Sequence, residues 1–161
     1  MILLEDTRNQ PGKHKNIEAY CQQHGIEIIR SKLLVGDYML AGLEGTGCGI
    51  KGDISCDTKY GVSEIASDIF HQHERFRREL ETAQKCGIKL IILIEENLPP
   101  GGLAAWRSPL GRDGKPKHKF DPVILRKAMI TMQNKYGCSF RFCDGRSTGR
   151  VLIEYLKGER T

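Results

Sequence analysis

The chain has 161 residues, the length of one compact domain and too short for two ordinary ones. Hydrophobic residues at 39% and charged residues at 28% exclude a disordered or fibrous chain, because that apolar share fills a core. Twenty-five Lys and Arg against twenty Asp and Glu leave a net charge of +5, a balance that permits a nucleic-acid partner without demanding one.

Residues 1–4 are a continuous apolar run closed by Glu5 and Asp6, the pattern of a strand buried on both faces. Ile17, Tyr20, Cys21 and His24 recur at helical spacing, and Gly25 ends that helix. Residues 26–40 read as strand, interrupted by a turn at Gly36 and Asp37. The glycine-rich stretch 41–53 reads as a hairpin loop and residues 53–59 as the returning strand. Val62, Ile65, Ala66, Ile69, His73, Phe76, Leu80 and Ala83 keep a three–four spacing that predicts one long helix over 62–86, ended by Gly87. Residues 89–94 form a further buried strand, and residues 97–120, rich in Pro, Gly, Lys and Arg, a long basic loop. Asp121 and Pro122 open a helix that runs to Tyr136 and stops at Gly137. A short strand over 139–143 and a helix over 148–156 follow. Strands alternating with helices predict an α/β domain whose central sheet is covered on both faces, and three consecutive strands make that sheet mixed.

The longest apolar run, residues 90–94, is far below the ~20 residues that span a bilayer, so no membrane segment is expected. The N-terminus turns acidic within five residues and carries no secretory signal, which makes the expected compartment the cytoplasm, or the nucleus of a eukaryote. The six cysteines complete no zinc-site spacing and are expected as reduced, mostly buried thiols.

The chemistry-bearing residues gather on two strands. Side chains alternate along a strand, so Asp57 and Lys59 share one face while Cys56 and Thr58 share the other. A carboxylate beside an ammonium at a strand end packs no core. If Asp37 on the neighbouring strand approaches Asp57, the two carboxylates repel, and a hard cation such as Mg²⁺ relieves the repulsion. Lys59 then stands beside a metal-bound water, orienting it or stabilising negative charge as it attacks a phosphodiester. The same triplet also reads as a surface ion pair on a strand, and spacing alone does not separate the two.

Taken in chain order, these residues resemble the XPF-type nuclease family, whose signature is Gly-Asp, a gap, then Glu-Arg-Lys and a further acid. Gly36-Asp37, Asp57-Thr58-Lys59 and the segment Glu-Ile-Ala-Ser-Asp-Ile at 64–69 stand here in that order. The resemblance extends to Asp6 and Arg8, to Glu74-Arg75-Phe76 and to residues 90–95, and so covers residues 2–96. It implies a restriction-endonuclease-like core over 2–96, within a single nuclease domain over 1–161 in which the helix, strand and helix read at 121–157 form a C-terminal extension. It also implies cleavage of DNA, often at branched or flapped structures, with Mg²⁺ or Mn²⁺ as cofactor, and a homodimer. Carried over by position, Asp37 and Asp57 are the implied metal ligands, Lys59 the catalytic lysine, Asp6 and Glu64 auxiliary acids, and Arg75 the helix arginine. Three departures stand out: Asp57 replaces a Glu, Thr58 replaces an Arg, and Glu64 lies one residue later than the family's acid.

On the polar face of the predicted long helix, Glu64 begins close enough to Lys59 to reach a metal's water shell, whereas Asp68, His71 and Arg78 read as a solvated face. Glu95 falls in the family's Ile-Glu pair and reads as a further acid near the metal or as a solvated strand end. Arg107, Arg112, Lys115, Lys117 and Lys119 suit the tracking of phosphates, with Trp106 either stacked on an exposed base or folded onto the core. His14 and His24 show no partner pattern. The expected function is a metal-dependent DNA endonuclease. Its rivals are a catalytically silent nucleic-acid-binding or scaffold domain of the same fold, and the same fold acting on RNA.

Overall fold

The computed structural model describes residues 1–42 and 53–160, so the predicted hairpin loop lies, from 43 to 52, outside the described residues. The strands are β1 (Ile2–Asp6), β2 (Glu27–Ser31), β3 (Tyr38–Leu40), β4 (Ile54–Lys59), β5 (Lys89–Ile94) and β6 (Ser139–Phe142). The helices are α1 (Lys15–Gln23), α2 (Val62–Phe70), α3 (His73–Cys86), α4 (Pro122–Tyr136) and α5 (Thr148–Leu156).

The six strands among the described residues form one sheet in the order β2-β1-β3-β4-β5-β6. β3 runs antiparallel to both neighbours and every other pair is parallel, giving the mixed sheet expected from three consecutive strands. The Leu-Ile-Ile-Leu-Ile run of β5 is buried throughout, as an interior parallel strand covered on both faces requires. One layer packs Ile65 and Ile69 of α2, Phe76 and Leu80 of α3 and Leu125 and Met129 of α4 against Leu90, Ile92, Ile94 and Phe140. The other packs Ile17 and Cys21 of α1 and Val151 and Leu152 of α5 against Leu3, Tyr38, Cys56, Ile91 and Leu93.

The single long helix predicted over 62–86 is two helices, broken at His71 and Gln72, whose N–H groups both donate to Ser67 O, at 2.8 and 3.0 Å. The apolar spacing carries straight through the break because Ile69 and Phe76 stand seven residues apart, as they would in one helix. His73, which the spacing enrols in the apolar face, is exposed. With no buried side chain between 69 and 76 to hold the face down, the chain is free to turn there.

Caps fall where the sequence signals them. Asp121 accepts from Val123 N–H at 2.8 Å with Pro122 in the first turn of α4, and Gly137 ends that helix in the left-handed region. Cys21, Cys56, Cys138 and Cys143 are buried free thiols and Cys86 is a half-buried one. No helix among the described residues is long and apolar enough to cross a membrane. Because β1, β4 and β5 run the same way and β3 runs against them, Asp6, Asp37, Lys59 and Glu95 all reach the same end of the sheet.

Candidate active-site cleft

The turn into β3 sets the first acid. Gly36 sits at φ +72°, and a Cβ there would strike Ser55 Oγ and the Cys56 carbonyl, so glycine alone fits. This close approach lets Asp37 N–H donate to Cys56 O at 2.7 Å, one step beyond the Tyr38–Cys56 pair, which sets Asp37 opposite Asp57. The Asp37 carboxylate turns to Thr58: Oδ2 accepts from Thr58 N–H at 2.9 Å and from Thr58 Oγ1–H at 2.6 Å.

The alternation of β4 turns Asp57 and Lys59 toward α2 and α3, and Cys56 and Thr58 toward the opposite layer. Asp57 is 4% exposed and Lys59 7%. Lys59 Nζ lies 2.9 Å from Asp57 Oδ2 and 2.8 Å from Asp68 Oδ2, while Arg75 Nη2 donates to Asp68 Oδ1 at 3.0 Å. Charge therefore alternates along a row: Arg75, Asp68, Lys59, Asp57. Burial pushes the Asp57 carboxyl well above the usual carboxylate range; Lys59 opposes that shift, and the nearby Asp37 and Glu79 carboxylates add to it. Burial also works against the Lys59 ammonium, but Asp57 and Asp68 outweigh it and raise the amine above its ordinary value. Lys59 therefore holds its proton and stands as an ammonium between the two carboxylates.

An open polar cleft of about 470 Å³ follows this row, lined by Asp37, Asp57, Lys59 and Asp68 and by the cations Arg8, Lys13, Arg75 and Arg78. Asp68 departs from the solvated face expected of it: it is 4% exposed and holds Lys59. Its position, three residues after Ile65 and one before Ile69, is at the border of the apolar arc of α2, so helical spacing alone leaves its burial open. Arg78 and Glu79 line the cleft, and Glu79 Oε1 accepts from Gly36 N–H at 2.8 Å, tying α3 to the turn before β3. His71 is exposed, in keeping with a solvated face.

Asp6 is saturated by donors and is not a free acid. Its Oδ1 accepts from Arg8 N–H and Nε–H at 2.7 and 2.8 Å, and its Oδ2 from Arg8 Nη2–H and Leu33 N–H at 2.7 and 2.9 Å. What Asp6 supplies to the cleft is a fixed Arg8. Glu64 lines the cleft half-buried, with Oε2 accepting from Tyr60 N–H at 2.8 Å just before α2. Glu95 turns instead to the opposite layer, where Oε1 lies 3.1 Å from His14 Nδ1. His14, unassigned from sequence, is buried and reaches Thr58 Oγ1 through Nε2 at 3.0 Å.

Trp106 folds onto the core. It is 5% exposed, stacks on Phe120 at 5.1 Å and donates its indole N–H to Glu96 Oε1 at 2.6 Å, so base stacking by this ring is not open to it in this arrangement. Arg107, Arg112, Lys115, Lys117 and Lys119 are all exposed, and none lines the cleft.

Among the described residues no three His, Cys, Asp or Glu side chains form a ready metal cage. The donor chemistry nevertheless fits a hard divalent cation. Buried Asp57 Oδ2 has only the ionic contact with Lys59 and no hydrogen bond of good geometry, and Asp37 and Glu79 repel it. Mg²⁺ is held by one or two protein carboxylates of this kind while keeping its waters.

A mixed α/β sheet with two acids and a lysine converging at one end has the layout of an XPF-type nuclease domain. The chain belongs to the ERCC4 domain family, whose model matches residues 6–154. Among solved structures, XPF from Aeropyrum pernix superposes with a TM-score of 0.64 at 18% identity, covering 99% of this chain and 65% of that one. A second structure of that XPF, in complex with DNA, gives 0.63 at 18% identity, covering 98% and 64%. The chain thus spans less than two thirds of the solved chains it matches, and at this identity the likeness is one of fold. No curated protein matches the chain.

Proposed function

We propose that the cleft is the active centre of a divalent-metal-dependent endonuclease acting on DNA, including branched or flapped DNA. The observation that carries this reading is the convergence of Asp37 and Asp57 from adjoining strands, with Lys59 on the Asp57 face, in a cleft lined by four further cations. The ERCC4 domain membership and the DNA complex of the similar XPF support it.

Asp37 and Asp57 would hold the ion, and an all-oxygen pair of this kind suits Mg²⁺ or Mn²⁺. When bound, such an ion polarises the phosphodiester and lowers the pKa of its water. Lys59 presents an ammonium to the oxygen on which negative charge develops. Asp68 restrains Lys59 from the helix side, so the amine keeps a fixed place when Asp57 turns its charge to a cation. Arg8, held by Asp6, and the cleft cations Lys13, Arg75 and Arg78 contact phosphates flanking the scissile bond. The exposed cations of the 107–119 loop extend phosphate binding beyond the cleft.

One observation favours the rival, a silent nucleic-acid-binding domain: Lys59 already compensates Asp57 within the protein. Cleavage of flap-containing duplexes with Mg²⁺ or Mn²⁺, against EDTA, separates the two. The expected result is product only with metal. DNA binding with no product under any metal supports the silent module. The homodimer belongs to the same proposal, and the exposed Val123, Ile124 and Ile130 of α4 are in keeping with a face that a second copy covers. Sedimentation showing only monomer at every concentration would remove it.

A further inference from the structure

Behind the cleft, on the opposite face of the sheet, a file of polar groups runs from half-buried Glu95 through buried His14 and Thr58 to half-buried Asp37. Glu95 Oε1 lies 3.1 Å from His14 Nδ1, His14 Nε2 lies 3.0 Å from Thr58 Oγ1, and Thr58 Oγ1 lies 2.6 Å from Asp37 Oδ2. Proton counting gives the file a direction. Thr58 has one hydroxyl proton, and the carboxylate Oδ2 of Asp37 accepts it, so Oγ1 must accept from a proton on His14 Nε2. His14 Nδ1 then faces Glu95 Oε1. The imidazole is flanked by Tyr60, stacked at 5.1 Å, and by the edge of Tyr38 at 6.0 Å. Among the described residues, both hydrogen bonds of the Asp37 side chain fall on Oδ2, and both come from Thr58.

We infer that His14 and Thr58, anchored by Glu95, are positioning residues that hold the Asp37 carboxylate in the one orientation from which it serves the cleft. The inference rests on the metal-binding reading given above. It also assigns a use to Thr58, where the family signature has an arginine: a short β-branched hydroxyl reaches Oδ2 and still leaves room for the ring behind it. A core-filling role for His14 would need neither nitrogen satisfied. Here both face a partner at hydrogen-bond distance, on an imidazole that is only 4% exposed. Partners that orient a metal's ligands typically change metal affinity by about 10–100-fold when removed, and an effect of that size is readable.

The test is the Mn²⁺ dissociation constant of the full chain without DNA, read from the free-ion electron paramagnetic resonance signal, with melting curves to confirm folding. Thr58→Val should weaken Mn²⁺ binding by about tenfold, Thr58→Ser should restore it, and cleavage by Thr58→Val should recover as Mn²⁺ is raised to saturation. His14→Gln should weaken binding as well, and the double variant Thr58→Val/His14→Gln should be no worse than Thr58→Val, since both act through one oxygen. If His14→Gln fails to fold, the Val and Ser pair at position 58 decides alone. Native affinity in a folded Thr58→Val protein, or additive losses in the double variant, overturns the inference and leaves the nuclease reading standing. A native chain that takes up no Mn²⁺ overturns both.

Discussion

Lys59 at the end of β4 and Asp68 in α2 meet at 2.8 Å, both nearly sealed from solvent, so the strand that carries Asp57 is bolted to a helix that lines the cleft. The bolt is asymmetric. Asp68 has Arg75 on its other oxygen, whereas the second partner of Lys59, Asp57, is itself disfavoured as a carboxylate by burial and by neighbouring acids. Two neutralising substitutions should therefore separate. Asp68→Asn breaks a buried pair and should cost about 3 kcal/mol, the low end for such a loss because Lys59 keeps Asp57. Asp57→Asn leaves Lys59 on Asp68, relieves repulsion by Asp37 and Glu79, and should leave stability unchanged or raised. Urea melts of the two variants check this; equal losses would show that the row is not polarised in the way described.

Asp6 makes an acid-limb prediction. Burial alone would raise its pKa, but hydrogen bonds from the Arg8 side chain and from the Arg8 and Leu33 backbone outweigh that and hold it below its ordinary value of 3.8. A carboxyl whose folded pKa is depressed contributes stability above its unfolded value and loses it as pH falls through the folded one. The contribution of Asp6 is thus complete above about pH 4 and drains away below it. Asp6→Asn should melt at lower denaturant than the native chain near neutrality, and the gap should close as the pH drops. A constant gap across that range would contradict the assignment.

Glu96 ties the basic loop to the start of α2. Its Oε1 takes the Trp106 indole N–H at 2.6 Å and its Oε2 takes Val62 N–H at 2.7 Å, and Gly61 leaves the room this needs, since a Cβ there would stand 2.7 Å from Oε2. Glu96→Ala removes two charge-assisted hydrogen bonds and should cost about 2–4 kcal/mol. Because Trp106 is the only tryptophan, its emission reports the event directly: it should shift to the red in the variant. Unchanged emission would mean that stacking on Phe120 alone holds the ring.

For the exposed loop, the reading as a phosphate-tracking surface predicts a salt effect in place of a catalytic one. Lys115→Ala/Lys117→Ala should reduce the slope of log affinity for duplex DNA against log salt by up to about 2, at roughly 0.9 for each phosphate no longer neutralised. The rate at saturating DNA should be unchanged. An unaltered slope would relieve the loop of this role.

The front of the site is legible in the sequence and its back is hidden. Strand alternation alone places Asp57 and Lys59 on one face, because period-two geometry is local, whereas the approach of Asp37 depends on β3 pairing with β4 and stands in the sequence only as a condition. The break between α2 and α3 is invisible, since the seven-residue step from Ile69 to Phe76 serves a continuous helix equally well. Asp68 reads as solvated because an acid on the border of an apolar arc is buried only when a cation from another element meets it. His14 lies 44 residues from Thr58 and 81 from Glu95, and no spacing rule spans such distances. Asp6 illustrates the reverse: its place beside Arg8 is visible, while the Leu33 N–H that completes its saturation comes from across the sheet edge.

The most direct test is the nicking of supercoiled plasmid by the native chain and by Asp57→Asn, purified in parallel, at saturating protein with Mn²⁺. The native chain should convert the plasmid to open circles, and the variant should leave it intact while binding DNA with undiminished affinity. Equal nicking by both proteins, or none by the native chain, would contradict the assignment of Asp57 to the chemistry.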